Sequence, residues 1–233
     1  MCERQITPEI TSQLRKNIVA VPDIIKKNAT GISIFGKTIH SLLFSTDIAI
    51  IKNTNADAII AVYPFTPHPA ITQAIMTVAD IPVFCGVGGG LTHGLRSANI
   101  ALDAEFQGAI AVVLNAPTPD ETISMVREKV DIPVVVTVVS ELTDIGSKLA
   151  AGATILNVSG GAQTVEIVRK IRENNKTVPI IATGGPDEAT ILRTIEAGAN
   201  AITFTPPSNG ELFKVKMELY RKQENEKHEK ARP

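Results

Sequence analysis

The feature that most constrains this chain is an internal repeat of short apolar strands, which open alternately with proline and with glycine. The proline-led strands begin at Pro82, Pro133 and Pro179, and the glycine-led strands follow Gly108, Gly152 and Gly198. Within each series the spacing is 44 to 51 residues. A proline is tolerated at the first residue of a strand, and a glycine is typical of the end of a helix. Because one strand, one helix and their turns occupy about half of this spacing, the chain repeats a module of two strand–helix units.

The repeat predicts eight strands, which lie at 41–45, 58–63, 82–87, 109–114, 133–138, 154–158, 179–183 and 201–204. The helices between and after them are predicted at 47–54, 69–78, 97–107, 119–129, 142–151, 163–174, 187–197 and 209–226. Strands that alternate with helices pair in parallel, and eight such units in about 190 residues predict an α/β fold, a single (β/α)8 TIM barrel. A doubly wound open sheet is the alternative, although it more often has five or six strands.

The first 38 residues stand outside the repeat, so the predicted organisation is an N-terminal extension at 1–38, a barrel at 39–226 and a charged flexible tail at 227–233. Thr7, Pro8 and Glu9 form a helix-start pattern, which predicts a helix through about Asn17. This extension is expected to cover the N-terminal mouth of the barrel or to pack against a partner subunit. A homo-oligomer is therefore an open alternative.

Composition excludes several classes of protein. The chain is 44% hydrophobic with a net charge of −1, which argues against disorder and against a nucleic-acid partner. Its aromatic content is only 4%, as expected of a core built from branched aliphatic residues. Two cysteines cannot form a disulfide framework, which favours the cytoplasm, and no apolar run is long enough to predict a membrane span.

Glycines concentrate where a TIM barrel carries its function, in the loops after the strands. Nine of the 16 glycines lie in the loops after the third, sixth and seventh strands. Glycine lets backbone amides approach a ligand, and the following helix N-terminus favours an anion. The alternative is that these glycines only permit tight turns.

The segment 179–204 resembles the seventh and eighth units of phosphate-binding TIM barrels. These include the ribulose-phosphate-binding group, the keto-deoxy-phosphogluconate aldolases, the N-acetylmannosamine-6-phosphate epimerases and the FMN-dependent barrels. The close resemblance covers about 45 of the 233 residues. The chain as a whole is most similar to a bacterial barrel family, and this similarity implies no particular activity.

In those families, a glycine pair after strand seven and a Gly-Ser or Gly-Thr pair after strand eight hold a phosphate. Here the first pair is matched, but Pro206 and Pro207 replace the second and remove two backbone donors. The resemblance therefore implies a phosphate site formed by Gly184, Gly185, Thr205 and Ser208, with Gly160 and Gly161 nearby.

Candidate proton carriers also follow the strands. No predicted strand contains a lysine, so a Schiff-base aldolase is not expected. The predicted acid–base residues are His68, His93, Asp47 and Glu141. Two alternatives remain open, namely that the histidines are ordinary loop residues and that Asp47 only caps a helix. A metal site formed by the two histidines and a carboxylate is a further alternative.

The remaining mouth residues are mostly neutral. The predicted substrate pocket consists of Ser45, Tyr63, Gly88, Gly89, Asn115, Thr137, Asn157 and Thr183. Cys85 is expected to be a small core residue. Together these features predict a metabolic enzyme that binds a small phosphorylated substrate and acts by acid–base lyase or isomerase chemistry, with a hydrolase also open. The alternatives are an FMN-dependent oxidoreductase and a non-catalytic barrel that senses a metabolite or scaffolds an assembly. The cofactor, FMN or a divalent metal, is left open.

Overall fold

The computed structural model describes residue 8 and residues 10–230, and it contains a closed barrel of eight parallel strands. The barrel strands are β3 (Ser41–Phe44), β4 (Ala58–Ala61), β5 (Val83–Gly88), β6 (Ala111–Leu114), β7 (Val134–Val138), β8 (Ile155–Val158), β9 (Ile180–Thr183) and β10 (Ala201–Phe204). They are arranged in chain order, and β10 pairs with β3 to close the barrel. The predicted TIM barrel is therefore confirmed, and no strand end differs from its predicted position by more than two residues.

A helix follows every barrel strand. These helices are α2 (Ile48–Lys52), α3 (Pro69–Val78), α4 (Gly94–Phe106), α5 (Asp120–Lys129), α6 (Ile145–Ala150), α7 (Thr164–Asn174), α8 (Glu188–Glu196) and α9 (Asn209–Lys230). Three of them begin directly after an aspartate whose side chain accepts a hydrogen bond from the first turn, at Asp47, Asp144 and Asp187. Such a cap satisfies amides that have no partner within the helix, which is why these helices begin there.

Side chains alternate along the strands between two apolar layers. One layer faces the helices and includes Cys85, which is 2% exposed, as expected for a core residue. The other layer fills the lower half of the barrel with residues such as Leu42, Phe84 and Val113. The few aromatic residues reflect this interior, because branched aliphatic side chains pack well inside a narrow barrel.

The N-terminal segment differs from its prediction. Thr7 and Glu9 lie outside the described residues, and residues 10–17 contain a short 3-10 turn at Gln13–Arg15 rather than a helix. Leu14 is 92% exposed, so this stretch has no apolar surface on which a helix would be stabilised. Helix formation comes later in the segment, at α1 (Asp23–Asn28).

A hairpin that the sequence did not predict follows α1. Its antiparallel strands are β1 (Ile32–Ile34) and β2 (Lys37–Ile39). Ile32, Ile34 and Ile39 are buried in the same apolar cluster as the barrel interior. The extension therefore covers the N-terminal mouth of the barrel. In the described part of the chain, no helix is long and apolar enough to cross a membrane.

Candidate functional site

Three adjoining recesses open at the carboxyl end of the barrel. The central cavity has a volume of about 330 Å³ and lies at the centre of the mouth, on the barrel axis. A side recess of about 310 Å³ lies between the loops after β4 and β5, and a rim recess of about 370 Å³ lies between the loops after β3 and β10. Val62, Tyr63 and Pro64 line all three, so the loop after β4 is the wall that they share.

The central cavity is lined by neutral side chains that carry hydroxyl or amide groups. We refer to them as the polar ring, which consists of Asn115, Thr137, Asn157, Ser159, Thr183, Thr203 and Thr205. These residues continue the inward-facing positions of β6 to β10, and they lie two residues, or for Ser159 and Thr205 four residues, beyond the last inward-facing aliphatic side chain of the strand. The barrel interior therefore changes from aliphatic to polar at the level where its carboxyl end opens.

Hydrogen bonds order one side of the polar ring. The Thr137 hydroxyl donates to Asn115 Oδ1 at 3.2 Å, and Asn157 Nδ2 donates to the Thr137 oxygen at 3.2 Å. The Thr183 hydroxyl lies 3.4 Å from that of Ser159. Thr203 differs from these residues. It is only 7% exposed, and its buried Oγ1 has no hydrogen-bond partner among the described residues. A buried hydroxyl without a partner is costly, so this atom is available to a ligand.

The mouth carries little charge. Among the described residues that line the three recesses, Asp47 is the one charged side chain, and Tyr63 is the other titratable group. Asp47 Oδ1 accepts hydrogen bonds from the amides of Ala49 at 2.9 Å and Ile50 at 3.2 Å. It therefore caps α2 and lines the rim recess at the same time. Tyr63 Oη accepts a hydrogen bond of 2.8 Å from the backbone amide of His68, which fixes the position of the phenol.

The other three predicted acid–base residues do not line these recesses. His68 is exposed, and its Nδ1 accepts a hydrogen bond of 3.3 Å from the amide of Ala70 as the cap of α3. His93 precedes α4, where its Nδ1 is buried without a hydrogen-bond partner in the described chain. Glu141 lines a separate crevice between α6 and α7, where it lies 3.7 Å from Lys170 Nζ.

Two residues of the predicted phosphate site, Ser208 and Gly184, have their donors engaged within the protein. Ser208 donates from its amide at 2.8 Å and from its hydroxyl at 2.7 Å to Glu211 Oε2. Hydrogen bonds from the Ser208 side chain and amide lower the pKa of Glu211, so this carboxylate keeps its negative charge. The amide of Gly184 donates to the carbonyl of Thr203 at 3.2 Å. The donors of Ser208 and Gly184 are therefore already bonded, whereas Gly185 adopts a φ of +86° and Thr205 lines the central cavity and the rim recess.

The glycine pair near β8 is also explained by local packing. The Gly160 amide donates to Thr164 Oγ1 at 3.1 Å, and a Cβ atom on Gly160 would lie 2.3 Å from the side chain of Ile167. Gly161, by contrast, has open space around it and a φ of +59°. Gly160 is thus required for contact with α7, whereas Gly161 is required by its backbone conformation.

Gly88 and Gly89 line the side recess, but their loop is built as a tight turn. The amide of Gly89 donates to the carbonyl of Thr92 at 2.9 Å, and the amide of Gly90 donates to that of Pro117 at 3.0 Å. Gly89 has a φ of +110°, and a Cβ atom there would lie 2.2 Å from the carbonyl oxygen of Asn115. Close backbone packing therefore accounts for this glycine.

The residues that the structure describes do not form a metal centre. A divalent cation such as Mg²⁺ prefers several oxygen ligands, commonly carboxylates, and Zn²⁺ prefers histidine and cysteine. In the described part of the chain, no group of three or more histidine, cysteine, aspartate or glutamate residues could hold a metal ion. The metal alternative built on His68 and His93 therefore finds no support in the positions of these side chains.

All eight residues of the predicted substrate pocket line one of the three recesses. The sequence missed Thr66 and Thr92, whose hydroxyls are 3.3 Å apart in the side recess. Both lie in loops beyond the strand ends, where the alternation of side chains no longer predicts direction. The one feature of the sequence that could have indicated them is that each lies a few residues after a predicted strand.

Comparisons with known proteins extend the description of the fold. No family model matches the chain, and no curated protein matches it in sequence. Several solved structures match in fold. One, assigned as a phosphonomutase from Burkholderia cenocepacia J2315, has a TM-score of 0.61 and 17% identity over 78% of this chain and 93% of its own.

A phosphonopyruvate hydrolase complexed with oxalate and Mg²⁺ has a TM-score of 0.60 and 12% identity over 87% of this chain and 85% of its own. A mandelate oxidase mutant with an FMN adduct has a TM-score of 0.58 and 17% identity over 78% of this chain and 69% of its own. These structures differ from the ribulose-phosphate-binding group that the sequence resembles, and identities this low show the fold alone. The comparisons therefore support a TIM barrel without supporting that specific group.

Proposed function

We propose that this protein is an enzyme that binds a small oxyanion-bearing acid, either phosphorylated or carboxylated, at the carboxyl end of its barrel. The observation that carries the proposal is the polar ring, which brings seven neutral hydrogen-bonding side chains to one cavity. Hydroxyl and amide donors form strong hydrogen bonds with charged oxygens. TIM-barrel enzymes carry their active sites at this end.

Acid–base chemistry of the lyase or isomerase type fits the titratable groups of the mouth. Asp47 and Tyr63 both line the rim recess. The carboxylate of Asp47 can accept a proton from a substrate carbon or hydroxyl, and the phenol of Tyr63 can donate one to a developing oxyanion. Two of the structures compared above are named for reactions of phosphonates, which agrees with a small acidic substrate.

The test is a turnover screen. The purified protein is incubated with small phosphorylated, phosphonate and hydroxy or keto acids, and the reactions are followed by ³¹P and ¹H NMR. We expect at least one acid to be converted, and we expect Tyr63→Phe to lower kcat by about 100-fold or more. The matched control is Tyr220→Phe on the exposed face of α9, which should leave kcat unchanged. Equal rates in the wild type and Tyr63→Phe would refute the role of Tyr63.

A non-catalytic sensor of a metabolite is the second candidate. It is favoured by the sparse titratable groups, since Tyr63 is the one such group that lines the central cavity. A sensor would bind an acid from the same panel without converting it. The FMN alternative is not favoured over this proposal, because two of the three structures compared above are named for phosphonate reactions and one is described with an FMN adduct.

A further inference from the structure

We propose that the polar ring of the barrel, rather than the Gly184–Gly185 pair and Ser208, binds the oxyanion of the ligand. This inference rests on the proposed function, since it places the charged group of that ligand. It assigns the anion to hydroxyl groups of Thr183, Thr203 and Ser159. It also moves the anion away from Gly184, Gly185 and Ser208 of the site that the resemblance to phosphate-binding barrels implies, whereas Thr205 is common to both sites.

In the loop after β10, the donors that follow Thr205 are missing or already bonded. Pro206 and Pro207 have no backbone N–H, and both donors of Ser208 are bonded to Glu211 at 2.8 and 2.7 Å. A phosphate at this loop would have to displace a carboxylate that already occupies the position of an anion. If Glu211 stayed in place, the two negative charges would repel each other at short distance.

The loop after β9 also holds a carboxylate at the start of the helix that follows it. Asp187 Oδ1 accepts hydrogen bonds from the Thr190 amide at 2.7 Å and from the Thr190 hydroxyl at 2.9 Å. The amide of Gly184 is bonded to Thr203, and a Cβ atom on Gly184 would lie 2.7 Å from the side chain of Ile202. Gly184 is therefore a packing residue, and the start of α8 already holds its own carboxylate.

The polar ring has what these loops lack. Thr203 and Thr183 are paired across β10 and β9, and Thr183 is in turn hydrogen bonded to Ser159 after β8. Neighbouring strands lie about 4.8 Å apart, so an oxyanion between two of them can accept from the Thr203 hydroxyl and, once it gives up its long 3.4 Å bond to Ser159, from the Thr183 hydroxyl. Thr203 Oγ1 is buried without a partner among the described residues and lines the central cavity. A bound oxygen atom would supply the partner that this hydroxyl lacks.

Neutral donors can hold a buried charge when several converge on it. A desolvated carboxylate or phosphate is costly unless its oxygens are hydrogen bonded. The central cavity offers hydroxyls from Ser159, Thr183, Thr203 and Thr205 and the amide of Asn115.

The test is calorimetric titration with inorganic phosphate and, separately, with oxalate. The two probes distinguish a phosphoryl from a carboxylate ligand. We expect the wild type to bind at least one of them and Thr203→Val, which keeps the shape of the side chain, to weaken that binding about tenfold or more. Ser208→Ala should change the affinity less than twofold. The matched control is Thr177→Val, an exposed threonine that precedes β9 at the opposite end of the barrel.

A loss of binding in Ser208→Ala with none in Thr203→Val would overturn the inference, as would a wild type that binds neither probe. Thermal unfolding of each variant checks that it is folded. If Thr203→Val does not fold, Thr183→Val carries the same expectation and the same refutation. Because these titrations measure binding alone, an anion in the polar ring without any turnover in the NMR screen would contradict the proposed enzyme and leave this inference intact.

Discussion

Lys26 Nζ lies 3.1 Å from Asp57 Oδ1, and this ion pair joins helix α1 to the segment that precedes β4. The other oxygen of Asp57 accepts hydrogen bonds from the amides of His40 and Ser41, both at 3.0 Å. Burial acts to raise the pKa of Asp57, but hydrogen bonds from His40, Lys26 and Ser41 outweigh it and lower the pKa. One carboxylate therefore fastens the N-terminal extension to the barrel.

We expect Asp57→Asn to lower the free energy of unfolding at pH 7 by about 2–3 kcal/mol, because it removes hydrogen bonds to a charged group. The folded pKa lies below the unfolded one, so this contribution is fully present above the unfolded value of about 3.9. It is lost as the pH falls through the folded pKa. Urea unfolding at pH 7 and pH 3 tests this, with Asp23→Asn in an exposed pair as the control. A difference that does not shrink at pH 3 would contradict it.

The hairpin that covers the bottom of the barrel is expected to contribute strongly to stability. Ile39 is 1% exposed and packs in the interior cluster, whereas Phe35 in the same hairpin is 68% exposed. We expect Ile39→Ala to cost about 2–5 kcal/mol of unfolding free energy by leaving a cavity. Phe35→Ala should change it by less than about 0.5 kcal/mol. Chemical denaturation measures both, and similar costs at the two positions would show that the hairpin does not seal the barrel.

Gly184 is expected to be fixed by packing rather than by ligand contact. A Cβ atom there would lie 2.7 Å from Ile202 and 2.9 Å from Ile191, whereas nothing lies within 4 Å of one on Gly210. Gly184→Ala should therefore destabilise the fold by about 1–3 kcal/mol through overpacking. Gly210→Ala, in helix α9, should stabilise it by about 0.5–1 kcal/mol. Thermal unfolding of the two variants gives the comparison, and a neutral Gly184→Ala would argue against this packing.

His93 occupies a helix-cap position without acting as a cap. Its backbone is extended, with φ −135° and ψ 175°, but its side chain makes no cap hydrogen bond. His93→Ser should therefore raise the unfolding free energy by about 0.5–1 kcal/mol, because serine is a favoured N-cap. His68→Ser is the matched change, and it should gain less, since His68 already caps α3. A clear loss of stability in His93→Ser would mean that packing of the imidazole outweighs the missing cap.

Cys85 is expected to be unreactive in the folded protein. Burial raises the pKa of its thiol to about 12, so little thiolate forms at neutral pH. In a Cys2→Ser background, Ellman's reagent at pH 8 should react with Cys85 only after denaturant is added. Rapid reaction of the native protein would contradict the buried position. The wild type serves as the comparison, because it keeps both cysteines.

Local patterns were sufficient to predict the barrel. Prolines and glycines such as Pro133 and Gly152 recur before the strands of each strand–helix module. The starts of the strands can therefore be predicted without knowledge of distant contacts. The same reasoning predicted that Tyr63, Asn115 and Thr137 lie at the carboxyl end of the barrel, where they line the central cavity. The hairpin at the bottom was missed because its strands are three residues each, too short for a periodic pattern to emerge.

Which polar groups at the mouth are free to act depends on contacts between side chains, and these contacts cannot be predicted from spacing along the sequence. Glu141 follows β7, as expected of a catalytic acid. In the structure it lies close to Lys170 of helix α7 and lines a separate crevice. The Ser208–Glu211 pair is the exception, because its spacing is that of a capping box and could have been recognised from the sequence.

The sequence by itself determined which residues reach the open end of the barrel, because strand position and side-chain alternation are local properties of the chain. Only the tertiary structure decided which of their polar groups remain free. Thr203 has a buried hydroxyl without a partner in the described chain, whereas Ser208 has both donors bonded. That difference arises from the packing of neighbouring strands and loops around each atom, and it determines where a ligand can be held.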